Sequence, residues 1–586
     1  MKKPDFLKRL QQGNVLRSAI SYVAVSWLII QVCLSLFDLF GISQDYVRLI
    51  VIGLIIVFPI WLAVTYFYDY SKKGFVKVDH EELDEETLIK RKTELNKIII
   101  TGLSLAVIFL LLDKLQVFSI ANKTEIKSIA VIPFKNISSN VSETYFVDGI
   151  QDELIGSLSL LNKFRIPSRT STDRYRETEK SIQQIADELS VDAIIEGSVL
   201  RYDDNLRIQI KLIQAFPIEK TILSQSYDRP ISDVLEIHQD VTKDVAKEVK
   251  LVLSDAIEDE FPEVRKVDPK AYDLYLRGIF NLSLFTPPAM LENLNIFNEV
   301  IKIDPDFYGG YTGLSYTNLF MMVLGMVNPL DAHDLIMENA KKGVELGPNN
   351  YDAHGAMAGA YVWGDYNWEM GEQEFKRSLE LNPNNSFNNI YYAHLLACLG
   401  RFEEATKYAN IATQNDPFNP FVHGLKAVVY VAQEKFHAAD SITKNAIKMG
   451  PNNPFANWPR SHAQNALGNV EEAFELFISF QKLVGNIELA EFMENEKEKN
   501  GNQSAYEKAA DFLVQARNQA YVPPHVIYQF YNFAKNDEKV LEWLKIAYDE
   551  RSHDLSYLGV LPFQKEVKND TIYKNLIKKL KLPHVN

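Results

Sequence analysis

The chain has 586 residues, 47% of them hydrophobic, 24% charged and only two of them cysteine. At about 150 residues per domain this length excludes one small domain, and the composition is too apolar for a disordered chain. The formal charge of −15 argues against nucleic acid as a partner, because phosphate-binding surfaces are basic. Cys33 and Cys398 are too few and too far apart for a disulfide framework or a cysteine zinc site.

Residues 1–70 read as a basic head followed by two apolar runs, 18–39 and 49–68. The stretches 18–37 and 49–68 carry no formal charge, and each is long enough to cross about 30 Å of hydrocarbon as a helix. The short connection around Gly41, Asp45 and Arg48 predicts a transmembrane hairpin, with Pro59 positioned to kink its second arm. A charged linker at 71–97 precedes a third apolar run, 98–118, which is predicted to span with Lys97 and Lys114 at its ends. Lys and Arg concentrate in the head and in the linker. That bias predicts a bacterial inner-membrane protein with both segments in the cytoplasm and everything after about residue 119 in the periplasm. If 98–112 does not span, the same rule leaves the large domains in the cytoplasm.

From Ile126 short β-rich runs alternate with helical ones, the pattern of a small mixed α/β domain over 126–255. Residues 128–134 and 164–167 are predicted strands, 145–160 and 182–189 helices. Three more strands are predicted at 193–201, 206–214 and 221–227, the first two joined by a turn at Asp203, Asp204 and Asn205, and a long amphipathic helix closes the domain at 231–253. The motifs SIAVIPFKNIS at Ser128, YFVDGIQDELIGSLS at Tyr145, IPSRTS at Ile166 and IADELSVDAIIEGSVLRYDDNLRIQIKLI at Ile185 resemble the TolB amino-terminal-like domain, which is related to the FlgO domain. The resemblance implies a bacterial membrane protein with tetratricopeptide repeats beside this domain. In such relatives an adenylyl cyclase or winged-helix DNA-binding domain supplies the output, and neither motif set occurs here. Asp148, Glu153 and Arg169 are the charged candidates in the domain; without a nucleophile and base beside them they carry no catalytic geometry.

Proline recurs at Pro269, Pro305, Pro348, Pro383, Pro417 and Pro451, at spacings of 36, 43, 35, 34 and 34. A 34-residue period is the mark of tetratricopeptide repeats, helix pairs that stack into a curved solenoid. The repeats are expected over 268–485, with the extra length of the 43-residue interval in a longer turn at 325–331. Degenerate helical repeats and a C-terminal cap are expected over 486–586. Aligning the prolines places Phe387, Phe421 and Phe455 in one column, Ile390 and Trp458 in a second, and His394 and His462 in a third, with Trp363 nearby. These columns define the candidate peptide groove, and packing between repeats is the competing use of the same aromatics. The two histidines lie two repeats apart, so no metal site is expected.

No phosphate-binding loop, dinucleotide-binding turn, zinc-protease helix or nucleophile elbow occurs in the chain. The expected fold class is therefore multi-domain, with N-terminal transmembrane helices, a small mixed α/β domain and an all-α tetratricopeptide solenoid. The expected function is a non-catalytic membrane-anchored scaffold, without cofactor or metal, that contacts the lipid bilayer through three helices and binds protein or peptide partners on the solenoid. The alternative is a signal-transduction protein whose α/β domain senses a ligand or envelope state.

Overall fold

In a computed structural model, the described residues are 45–71, 74–77, 126–138, 144–161, 164–249 and 265–583, with isolated positions between 19 and 33. The chain divides into two units, 1–124 and 125–586.

In the first unit a helix over Asp45–Phe67 runs into an antiparallel hairpin of β1 (Tyr68–Ser71) and β2 (Gly74–Lys77). Tyr22 lies against the helix, donating its hydroxyl to the Leu54 carbonyl at 2.8 Å, with its ring 5.4 Å from that of Phe58. The expectation of transmembrane helices is corrected here. Among the described residues no helix is long and apolar enough to cross a membrane. The predicted span at 18–39 is outside the described residues except for isolated positions, and that at 98–118 is wholly outside them. The bilayer contact, the inner-membrane anchor and the periplasmic placement all rested on those spans and fall with them.

The second unit begins with a five-stranded sheet: β3 (Ile129–Val131), β4 (Lys135–Asn136), β5 (Ala193–Tyr202), β6 (Asn205–Gln214) and β7 (Lys220–Pro230). Strand order is β3-β5-β6-β7, and β4 also pairs β5. β3 and β4 run parallel to β5, while β5, β6 and β7 form an antiparallel meander. The turn between β5 and β6 places Asp203 at φ 52°, a left-handed conformation that Asp tolerates and a two-residue hairpin requires. Along β6, Leu206, Ile208, Ile210 and Leu212 are buried while Gln209 and Lys211 are exposed, the period-two pattern of a sheet with one core face. That face packs against the helices Thr144–Ser159 and Val234–Glu248. A second, smaller core under the helix Ile182–Leu189 covers the other face with Ala130, Ile185, Leu189 and Ile194. The strand expected at 164–167 is reduced to a single bridge between Ser128 and Arg165.

Helix pairs then follow to Asp549. The motifs that predicted their boundaries have a physical basis in capping. Asn350, Asn385, Asn419 and Asn453 each cap the next helix, accepting from the backbone N–H of Ala353, Asn388, Phe421 and Phe455. The turns inside pairs carry the same period: Tyr366, Gly400, Glu434 and Gly468 have φ of 53°, 72°, 57° and 85°. These four positions are 34 residues apart, and each ends a helix in the left-handed conformation. The long proline interval is not explained by a turn alone. The helices Tyr308–Val323 and Pro329–Leu346 have 16 and 18 residues, against 13 and 14 for Ser386–Cys398 and Phe402–Asn415. Beyond Gly485 the pairing continues through Ile487–Ala516, which is broken at Gly501, and through Pro524–Phe533 with Asp537–Asp549. Small helices at Lys565–Asn569 and Thr571–Lys579 close the end.

The sheet domain and the first repeats share one continuous core, in which Ile150, Leu154, Ile208 and Val241 pack together with Tyr272, Leu276, Phe297 and Phe307. Helix Thr144–Ser159 reaches the repeats at two glycines seven residues apart. A Cβ on Gly149 would lie 2.8 Å from Leu276 Cδ2, and one on Gly156 would lie 2.7 Å from the Tyr351 hydroxyl. Gly149→Leu is therefore expected to destabilise the protein by about 1–3 kcal/mol through overpacking, read as a lower midpoint in urea. Glu434→Gly, which relieves a side chain held at positive φ, is expected to raise stability by about 1 kcal/mol in the same assay.

Candidate functional site

The predicted groove residues fall into two groups in the folded chain. Trp363, Ile390, His394 and His462 are buried and Trp458 is half-buried, and what covers them includes the chain's own C-terminal portion. His394 accepts a hydrogen bond from the Tyr557 hydroxyl at Nδ1, at 2.7 Å, and its Nε2–H donates to the Leu425 carbonyl at 2.9 Å. His462 lies between the rings of Trp458 and Phe533, at 4.5 and 4.8 Å. The indole N–H of Trp458 donates to Gln529, and Trp363 packs edge-on against Phe375 and Tyr391. Further contacts tie the same end back to the third pair: Tyr366 donates to the Ser552 carbonyl, Trp368 to the Leu580 carbonyl and Ser556 to the Val362 carbonyl. No proline count predicts these contacts, which join residues about 190 positions or more apart.

Phe387, Phe421 and Phe455 form the second group, joined by residues of the first two repeats. Phe285, at the left-handed end of helix Pro269–Leu284, lies 5.7 Å from Phe421, 5.3 Å from Phe455 and 4.9 Å from Phe320. Phe421 in turn is 4.7 Å from Phe455 and 6.0 Å from Phe387. The result is a run of five phenylalanines at preferred aromatic spacings. Phe387 is 36% exposed. Sequence reasoning missed Phe285 and Phe320 because neither falls in the aligned columns; Phe285 enters through the turn that ends its helix.

The solenoid also holds the α/β domain in place by polar contacts away from the glycine seam. The Asn384 side chain donates to the Phe164 carbonyl at 2.8 Å and accepts from the Ile166 N–H. Ser171 donates to the buried Asp416 carboxylate, and Arg174 stacks 4.2 Å above the Phe418 ring. Asp416 also accepts from Asn419, and burial raises its carboxyl above the usual range despite these hydrogen bonds. The charged candidates of the α/β domain are paired structurally: Asp148 sits 2.7 Å from Arg176 and 3.8 Å from Arg169, which also faces Asp152 at 3.5 Å. Glu153 accepts from the Tyr275 hydroxyl at 2.8 Å. Among the described residues, no group of three or more His, Cys, Asp or Glu side chains is placed to hold a metal ion.

Residues 125–226 match the family model described as the second domain of HilA/YgeH-like transcriptional regulators. A putative adenylate cyclase 3 of Rhizobium meliloti (strain 1021) is 30% identical over 188 residues, 32% of this chain and 32% of the relative. The transcriptional regulator HilA of Salmonella typhimurium is 22% identical over 307 residues, 50% of this chain and 51% of the relative. The chain thus spans about half or less of the curated relatives it matches. Among solved structures, a thermophilic TPR protein of Thermus thermophilus is similar at 17% identity and a TM-score of 0.29, over 34% of this chain and 98% of that one. The type IV pilus biogenesis factor PilW is similar at 19% identity and 0.27, over 35% and 93%. The tetratricopeptide character of the solenoid stands on its own helix pairs, caps and 34-residue turns.

Burial lowers both His394 and His462 to about 4 from an ordinary value near 6.5. A folded-state value below the unfolded one means that the unfolded chain takes up protons first. The contribution of each histidine to stability is then complete above about pH 6.5 and is lost as pH falls toward 4. His462→Phe, which removes a buried Nε2 without a hydrogen-bond partner, is expected to flatten the fall in urea midpoint between pH 6.5 and 4. Tyr557→Phe, which leaves His394 Nδ1 unsatisfied, is expected to cost about 1–2 kcal/mol at neutral pH.

Proposed function

We propose that this protein is a non-catalytic scaffold that holds protein or peptide partners on its tetratricopeptide solenoid, with the α/β domain as a second contact surface locked beside it. The observation that carries this reading is the phenylalanine run from Phe285 to Phe455. It is a connected aromatic surface, still open at Phe387, of the kind that anchors partner side chains. Of the candidate groove residues, Phe387, Phe421 and Phe455 are assigned to the partner. Trp363, Ile390, His394, Trp458 and His462 shape the surface from beneath, because the chain's own residues already occupy them. On this reading the α/β domain extends over 126–255 and is similar in its motifs to TolB amino-terminal-like domains, the repeats occupy 268–485, and the helices of 486–586 serve as the cap that a solenoid needs for its last apolar face.

The relatives named as an adenylate cyclase and as a transcriptional regulator favour a second reading, a signal-transduction component whose α/β domain takes a ligand and passes the change to the repeats. The shared core between the two gives that change a physical route. The readings separate by substitution. On the scaffold reading, Phe387→Glu with Phe421→Glu is expected to abolish capture of partners in pull-downs, while circular dichroism and melting temperature stay unchanged. Full capture by that variant overturns the scaffold surface. Capture that is lost instead on Asn384→Ala, which loosens the α/β domain alone, supports the signalling reading.

A further inference from the structure

A cavity of about 450 Å³ lies where the end of the chain returns to the third helix pair, within the range of small-molecule sites, about 300–1,000 Å³. Three pieces of chain meet there. Asp365 and Tyr366 come from the turn before helix Trp368–Leu381. Tyr548, Asp549 and Arg551 come from the end of helix Asp537–Asp549 and the residues just after it, and Lys579, Leu580 and Lys581 from the end of helix Thr571–Lys579. Two hydrogen bonds hold these rims together: the Tyr366 hydroxyl donates to the Ser552 carbonyl at 2.6 Å, and the Trp368 indole N–H to the Leu580 carbonyl at 2.8 Å.

The lining gathers three cations in a chain whose formal charge is −15. Of the two acids beside them, Asp365 is already engaged, 2.6 Å from Nε2 of His333 and 3.5 Å from Arg551. Lys579 holds its ammonium 4.7 Å from the centre of the Tyr548 ring. Among the described residues neither Lys579 nor Lys581 forms an ion pair with a carboxylate, and Asp549 pairs with no cation. Like charges facing one space repel, a cost that an anion placed between them removes. The backbone marks the same place. Tyr366, Arg551 and Lys581 each have φ 53°, three of the eight non-glycine residues at positive φ among the described residues. At the turns that match Tyr366, Gly400 and Gly468 take this conformation without a side chain. A side chain kept there carries a conformational cost, and such costs gather at binding sites.

We propose that this cavity binds a small organic phosphate, whose charged group meets Arg551, Lys579 and Lys581 and whose organic part lies against Tyr366 and Leu580. A guanidinium fork with two ammonium groups suits an oxyanion that offers three oxygens, whereas a carboxylate offers two and is satisfied by the arginine alone. Bare phosphate leaves most of the volume unfilled, so an ester is the better fit. The bound anion joins the turn of the third pair to the end of the chain. The inference does not depend on which partner the solenoid binds.

Isothermal titration calorimetry of the full chain with phenyl phosphate, inorganic phosphate and benzoate, at constant ionic strength, tests it. Phenyl phosphate is expected to bind at one site per chain, at least about tenfold tighter than benzoate and tighter than inorganic phosphate. Arg551→Gln with Lys579→Gln is expected to weaken phenyl phosphate at least about tenfold with an unchanged circular dichroism spectrum. Lys574→Gln removes a charge from the same helix outside the cavity and is expected to leave the affinity unchanged. Should the double variant fail to fold, Lys581→Gln alone is expected to weaken binding, and Asp365→Asn, which frees Arg551, to tighten it. Absence of saturable binding, equal affinity for benzoate, or equal weakening by Lys574→Gln and by the cavity variants overturns the proposal.

Discussion

The close approach of helix Thr144–Ser159 to the first repeats is the contact on which the second unit depends. It requires Gly149 and Gly156, because a methyl group at either would meet Leu276 or Tyr351 below van der Waals distance. With those two residues in place the sheet, its two covering helices and the first helix pairs bury their side chains in one core. A small α/β domain and an open solenoid would each expose an apolar flank alone; joined, each covers the other.

The other end of the solenoid follows a similar rule on a different surface. A stack of helix pairs leaves a hydrophobic face at its last repeat and a concave face along its length. Here the residues after Asp549 turn back, and Ser552, Ser556, Tyr557 and Leu580 reach the third and fourth pairs. That return covers His394, helix Pro524–Phe533 covers His462 and Trp458, and the phenylalanine column is left to close across the superhelix through Phe285. The surface available to a partner is thus set by what the chain has already used for itself.

Much of the local structure was legible in the residues. Alternating burial marked β6, the proline and asparagine motifs marked where each pair begins, and Gly400 and Gly468 marked turns inside pairs. Tyr366 and Glu434 occupy the same left-handed turn without glycine, so the period runs through the backbone where composition hides it. The apolar run at 49–68 suggested more than the structure bears out, and that at 18–39 lies outside the described residues except for isolated positions. An uncharged stretch reports that a segment avoids water, and among the described residues no helix is long and apolar enough to cross a membrane.

The amino-acid sequence by itself determined the helix pairs, their 34-residue spacing, the sheet meander and the absence of known catalytic motifs, because these depend on residues close together in the chain. Only the tertiary structure decided which aromatics remain open and which are covered, since Phe285 meets Phe455 and His394 meets Tyr557 across more than 160 residues. Side-chain periodicity fixes which face of an element is apolar; which partner covers that face depends on how the superhelix curves, a sum of small rotations that no single motif encodes.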